Sequence, residues 1–383
     1  MSRTNLYCTR VMLCLVLGLL FFGRFTPEFT QAQDAPVQDA PDASDVHPVY
    51  VFLRTDPADA SRTELLFINA LTGEQHTTSV TGRRFTVLGR SILYFDPSNR
   101  RINVVSSSGQ IAPHPFLQLP ADALRIDWVV SSDGKQIAWT IVSRDDQGGL
   151  RTQLYVSHAD GSDQRLLREE SRKDALRMLP VSFDHTQTRL YLDYQPDGIE
   201  GLTAYTQYAG LFMLELGEEA PQPLFLPGEP GSFTGAGFGG EYFLRLALAS
   251  GQQGFDLRVY NLAADTSGVV SALDLRGTFS QAGDVLIAPD SRQALYALSQ
   301  IEAFGTPQQS TRTVLVHVDL ITMTQRILTE VTSIAHPLAW TEDNTAVIFT
   351  SPQQPGTWKI SIAEGVTDKI AEQTYLGMLQ ARH

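Results

Sequence analysis

Residues 131–140 read SSDGKQIAWT, and residues 154–167 read LYVSHADGSDQRLL. The first stretch is a polar turn, Ser132-Asp133-Gly134-Lys135, running into an alternating strand. The second holds a strand, another Asp-Gly turn and the start of a short further strand. An Asp carboxylate accepts the N–H two residues on and closes an Asx-type turn between antiparallel strands. Gly supplies the positive φ that tight turns need. Two such turns in so short a stretch describe one small antiparallel sheet.

The same pattern recurs along the chain. WVVSSDGKQIAWTIV (from Trp128), LPVSFDHTQTRLYLDY (from Leu179), LIAPDSRQALYALSQ (from Leu286) and LAWTEDNTAVIFTSP (from Leu338) each join two strands through a turn. The turns centre on Asp133, Asp184, Asp290 and Asp343, at spacings of 51, 106 and 53 residues. The middle spacing is twice the others, so a degenerate copy is expected near residue 237, where GAGFGGEYFLRLALAS replaces the Asp turn with glycines. Each unit continues with a third strand and a short fourth, as in DLRVYNLA with VVSAL and TVLVHVDL with TQRILTE, and the alternation is that of sheet strands. Two weaker units precede Asp133, one from Val49 and one from Phe85. Asp133, Gly134, Asp184, Asp290 and Asp343 are therefore read as structural turn residues.

Four-stranded units at this period are the signature of an all-β fold, the β-propeller. Seven blades are expected between residues 47 and 383, with six blades plus an irregular region as the alternative. The first unit lacks an opening strand, and TYLGML (Thr374–Leu379) is left over after the seventh. The economical arrangement makes this C-terminal strand the innermost strand of blade one.

The two opening stretches resemble the WD-repeat-like propeller repeat of TolB-type proteins, whose form is S-P-D-G-K-x-I-A-F followed by I-Y-V-x-x-x-D-G-S-x-x-x-x-L-T. Ser132 stands where that repeat has Pro, Trp139 where it has Phe, and Arg168 where it has the final Thr. Blade three matches closely, while blades four, six and seven match through the Asp turn and strand pattern. The resemblance implies the fold; the family holds protein-binding scaffolds, peptidase propellers and polysaccharide lyases, so function must come from the site.

The chain has 383 residues, 43% of them hydrophobic, ample for one large β architecture. Arg3 and Arg10 precede the apolar run VMLCLVLGLLFF, and Thr30-Gln31-Ala32 offers small residues for cleavage, so residues 1–32 read as a secretory signal peptide. The run stops at Gly23-Arg24, short of a membrane span; a retained anchor is the alternative. The expected location is periplasmic, cell-surface or secreted. Both cysteines, Cys8 and Cys14, fall within the leader, so the mature chain has no disulfide, Cys ligand or Cys nucleophile. QDAPVQDAPDASD (33–45) is acidic and Pro/Ala-rich and is expected to form a disordered linker over 33–46. Removing the leader takes the formal charge from −13 to −15, which argues against nucleic acid as a partner.

No G-x-S-x-G elbow is present, and no segment of hydrolase size follows the propeller in this sequence, so peptidase chemistry is not expected. SHADGSD lacks the spacing of an EF-hand loop, and the histidines are scattered singly. His185 falls in a first turn and His317 on an outer strand. His336, just before an innermost strand, is placed to reach the channel, and is read as a lone, partly buried imidazole. No cofactor, metal set or catalytic group is expected.

Loop lengths carry the remaining signal. In a propeller the connections from strand two to three and from strand four to the next blade emerge on one face. SRDDQGGLR (143–151), REESRKDALR (168–177), QPDGIEGLTAYTQ (195–207), LPGEPGSFTG (226–235) and QIEAFGTPQQST (300–311) all belong to it. The opposite face has short turns, with VYNLAADTSGVV as the exception. Binding residues concentrate on loops held by a rigid scaffold. Tyr205, Tyr208 and Phe304 are the candidate anchors and Asp145, Asp197 and Glu302 the polar rim of a protein or glycan site on a monomeric binding module. An enzyme acting on a polysaccharide at the central channel is the alternative.

Overall fold

Each Asp turn joins the first two strands of a four-stranded antiparallel sheet, and seven such sheets form the ring of a β-propeller. The computed structural model describes residues 47–380 apart from 57, 60, 197–202, 218–220, 224–234, 250–253 and 353. The expected leader and linker lie outside the described residues. From blade one to blade seven the innermost strands are Thr374–Leu379, Arg83–Leu88, Arg125–Val130, Leu176–Phe183, Ala236–Gly239, Gln281–Ile287 and His336–Trp340. The degenerate glycine unit is blade five, as the period required.

The C-terminal strand closes the ring. It pairs antiparallel with Val49–Thr55, setting Val49 opposite Leu379 and Leu53 opposite Thr374. The joint with blade seven is a hydroxyl relay: Thr357 Oγ1 accepts the Tyr375 N–H at 2.8 Å and donates to the Gln373 carbonyl at 2.5 Å. Thr357 is buried, so the relay replaces water for backbone groups that would otherwise be unsatisfied.

The connections between strands one and two, and three and four, define a turn face. Asp133 Oδ1 accepts the Lys135 N–H at 3.0 Å and the Ser131 hydroxyl at 2.7 Å. Asp290 takes the Arg292 N–H at 2.9 Å and Asp343 the Thr345 N–H at 3.1 Å. Asp184 reaches further, to the N–H groups of Thr188 and Arg189 at 2.9 Å each. Burial opposes ionisation of Asp133, but hydrogen bonds from Gln187, Lys135 and Ser131 hold its carboxyl at about 2. Gly134 has φ +70°, and a Cβ there would stand 2.9 Å from the Gly89 nitrogen of the neighbouring blade's turn, so glycine is required on two counts. The expected long exception on this face is instead short. Phe255–Asn261 and Thr266–Val270 are joined over 262–265, with Asn261 Oδ1 accepting from Ala263 and Ala264.

The other connections define a loop face. The stretch 168–177, expected as a loop there, is mostly strand. Arg165–Arg172 and Leu176–Phe183 leave only 173–175 between them, a turn in which Asp174 accepts from the Arg172 side chain at 3.0 Å and from the Leu176 N–H at 3.2 Å.

Among the described residues, buried apolar clusters fill successive seams between blades. Trp128, Trp139, Ile126 and Ile137 meet Leu93 and Phe95 between blades two and three. Tyr296, Leu298 and Val316 meet Leu244 and Leu257 between blades five and six. The long 114–124 connection joins the core rather than standing free: Leu117 is buried, and its N–H donates to His114 Nδ1 at 3.1 Å. The His114 ring is edge-on to Phe116, with ring centres 4.4 Å apart.

Two measurements test this account. Burial pushes the His114 imidazole down to about 4, so between about pH 6.5 and 4 the unfolded chain binds the proton that the folded chain refuses. The stability contribution is fully present above pH 6.5 and falls by about 3 kcal/mol as pH drops to 4. Urea titrations should show that slope shrink in His114→Gln, whose side chain does not titrate. Leu379→Ala, at a buried closure position, should cost about 2–5 kcal/mol in the same assay. The exposed control Leu71→Ala should stay within about 0.5 kcal/mol.

Candidate functional site

The innermost strands begin at the loop face, and several break register there. Bulges fall between Arg83 and Thr86, Pro180 and Ser182, Gly283 and Leu286, and Pro337 and Ala339. A bulge turns a side chain away from its expected direction. Arg84 (φ 61°) and Asp284 (φ 50°) take the left-handed conformation within these bulges, which is uncommon for non-glycine residues. Both side chains are re-aimed across to the next blade.

Arg84 meets Asp127 of blade three at 2.7 Å, and Arg177 of blade four meets the same carboxylate at 3.0 Å. Arg125 adds its Nε to both oxygens, at 3.0 and 2.8 Å. Asp127 and Arg177 are each 1% exposed. One carboxylate thus ties the innermost strands of three successive blades. Burial draws the Arg84 pKa below its ordinary value while Asp127 opposes the shift, and its guanidinium stacks on Trp128 at 4.6 Å.

The second cluster is built by the connection 203–210 of blade four. Asp193, fully buried, accepts the N–H groups of Gly210 at 3.0 Å and Ala209 at 3.2 Å. Burial raises its carboxyl above the usual range, and these hydrogen bonds oppose the rise. Arg245 of blade five donates to the Tyr208 carbonyl at 3.2 Å. Held at that end, the connection reaches past blade five. Gln207 Nε2 donates to the Ala282 carbonyl of blade six at 2.8 Å, and the Tyr205 hydroxyl meets Ser299 Oγ at 2.5 Å. The Tyr205 ring lies edge-on to His336 of blade seven, with ring centres 5.6 Å apart. His336 in turn bonds through Nδ1 to Asp284 Oδ2 at 2.8 Å.

The expected site residues are therefore dispersed. Tyr205 is no exposed anchor: at 2% exposure it sits in the cluster between blades six and seven with Leu295, Ala335 and Phe349. Burial pushes its hydroxyl up to about 12, against the Ser299 and Thr313 hydrogen bonds. Tyr208 is partly buried beside Tyr191 and Phe243, and burial, then Asp193 and Asp284, raise its pKa. Asp145 closes its own connection, accepting from Gln147 at 2.9 Å and Gly149 at 2.7 Å. Asp197 lies outside the described residues. Glu302 ends the strand Gln293–Glu302, where it accepts from Gln300 at 2.7 Å, and Phe304, on the 303–309 connection that follows, is 73% exposed.

His336 is not the lone imidazole expected, since Asp284 faces it from the adjacent inner strand. The sequence carried a signal for this pair: Asp284 and His336 stand 52 residues apart, and Asp127 and Arg177 stand 50 apart. Both separations equal one repeat, so side chains at the same phase of successive units become neighbours on successive inner strands. On the turn face, His158 and Asp163 line a cavity of about 550 Å³ between blades three and four, and Asp160 caps its own turn through the Ser162 N–H. Among the described residues no three His, Cys, Asp or Glu side chains stand together as a metal site, and no helix is long and apolar enough to cross a membrane.

No protein-family model matches the chain, and no curated protein matches it. Solved structures do. A prolyl endopeptidase is similar over 86% of this chain and 50% of its own, at 11% identity and a TM-score of 0.59. A puromycin-hydrolysing peptidase of Mycobacterium tuberculosis is similar over 87% and 55%, at 14% identity and a TM-score of 0.50. The chain spans about half the length of these two peptidases. TolB from Acinetobacter baumannii is similar over 86% and 82%, at 14% identity and a TM-score of 0.42. The solved neighbours thus include TolB proteins and other propellers, and at such identities they share the fold alone.

Tyr205→Phe removes one buried hydroxyl from the Ser299 and Thr313 hydrogen bonds. It should lower unfolding free energy by about 1 kcal/mol and raise amide exchange at residues 203–210. Exchange there matching the wild type would show that the hydroxyl does not hold the connection.

Proposed function

We propose that this protein is an exported, non-catalytic propeller that binds a protein or glycan partner on its loop face. The observation that carries the reading is the asymmetry of the ring. On the turn face, Asp133, Asp184, Asp290 and Asp343 spend their carboxylates on their own turns. On the loop face stand the bulged inner strands, the polar clusters around Asp127 and Asp284, and the hairpin that carries Glu302 at its strand end and Phe304 on its connection. An exposed aromatic flanked by an acidic side chain on a rigid hairpin has the make-up of an interface anchor and its rim. Export rests on the leader pattern of residues 1–32.

The enzyme reading has the Asp284–His336 pair in its favour, since a carboxylate that orients an imidazole is a common device of acid–base catalysis. A metal-assisted lyase needs a wider set of converging donors, and the described residues do not bring a third such group to that pair.

Affinity capture from cell-envelope extract compares the wild type with Phe304→Ala and with Leu71→Ser on the turn face. Phe304→Ala should weaken recovery of a defined partner about tenfold or more, as for an anchor worth upward of 1.4 kcal/mol, and Leu71→Ser should not. Equal recovery by all three overturns the loop-face reading, and a mature chain that fractionates with the cytoplasm overturns the exported one.

A further inference from the structure

Where blade seven meets blade one, the loop face opens into a cavity of about 430 Å³, within the range of about 300–1,000 Å³ usual for small-molecule sites. His336 lines it. Asp284 accepts at Nδ1, at 2.8 Å, and a carboxylate in that position makes Nδ1 the protonated nitrogen. The neutral ring then offers Nε2 as an acceptor, and among the described residues no donor is hydrogen-bonded to it. Asp284 is placed for this by its left-handed bulge conformation, and the His336 ring is steadied edge-on by Tyr205.

The remaining lining defines what such an acceptor would meet. Thr350 and Thr374 contribute hydroxyls, Gln373 an amide, and Pro355 an apolar surface. The charged groups at the rim are already matched within the protein: Glu372 pairs with Lys369, and Arg54 with Glu64. A cavity rich in hydroxyl, amide and imidazole groups, with its rim charges neutralised, suits a neutral ligand carrying many hydroxyls. A carboxylate or phosphate would find no free cation in this lining to pair with, and a purely apolar ligand would strip these polar groups of water without replacing their hydrogen bonds.

We infer that the cavity at the closing seam binds a neutral sugar unit of a glycan, with His336 Nε2 accepting a hydrogen bond from a ligand hydroxyl and Asp284 as the positioning residue. The inference rests on the binding-module reading and names the ligand class within it. Asp284→Asn keeps size and shape but replaces the carboxylate by a neutral amide, which loosens the hold on the Nδ1 proton and lets the ring take the tautomer protonated on Nε2, a donor where the wild type has an acceptor.

The test uses ligand-observed saturation-transfer NMR and calorimetry at pH 7.5. The probes are neutral trisaccharides of glucose and of N-acetylglucosamine, with a glucuronate trisaccharide as the acidic comparison. A neutral probe should bind the wild type, about tenfold more weakly to Asp284→Asn, and at least about threefold more weakly to Thr350→Val. Circular dichroism should show both variants folded, and the Nε2 nitrogen resonance should report the tautomer change in Asp284→Asn. Three results overturn the inference: no binding of either neutral probe, preference for the acidic probe, or wild-type affinity in both variants. If no sugar binds while Phe304→Ala still loses its partner, the seam site falls and the binding-module reading stands.

Discussion

A ring of sheets made from one open chain has to be fastened somewhere, and here the fastening is the pairing of residues 374–379 with 49–53. Every other blade takes its four strands from consecutive sequence. Blade one alone depends on both ends of the propeller, so its innermost strand and the packing of Val49 and Leu379 on blade two rest on that pairing. The joint toward blade seven is sealed by the Thr357 relay. The cavity at that seam is bordered by further hydroxyl and amide residues, Thr350, Gln373 and Thr374.

The cluster around Asp127 acts differently. Taking charged groups out of water costs several kcal/mol each, and their mutual attraction roughly offsets that cost. The apolar clusters between blades, not the ion pairs, therefore supply the net stability. What the shared carboxylate does is geometric: Arg84, Arg125 and Arg177 come from three successive inner strands, and meeting one carboxylate fixes those strands at a common level. The Asp284–His336 contact fixes blades six and seven in the same way.

Sequence reading recovered the repeat because Asp turns and period-two alternation are local. The placement of Thr374–Leu379 as the innermost strand of blade one followed from counting strands. The candidate site was far less legible. Tyr205 lies in a polar, turn-rich stretch that looks like an open loop, and nothing near it in sequence announces that its partners Ser299 and Ala335 belong to distant blades. Stretch 168–177 misled because its charges suggest solvent, whereas an outer edge strand with Arg172 paired to Asp174 tolerates charge well. Asp284 and His336 were recoverable only by comparing phases between repeats, since each looks unremarkable within its own strand.

The reach of residues 203–210 has a further effect on how the chain acquires its shape. These residues precede blades six and seven in the sequence, yet Tyr205 is buried only once Ser299 and the Leu295, Ala335 and Phe349 side chains are in place. During synthesis blade four emerges with an aromatic side chain whose pocket has not been made, and long-range contacts of this kind form slowly and late. Docking of Tyr205 is thus a report that the C-terminal blades have assembled. A chain ending before residue 295 would lack Ser299, Leu295, Ala335 and Phe349 together, and with them the pocket that covers the ring.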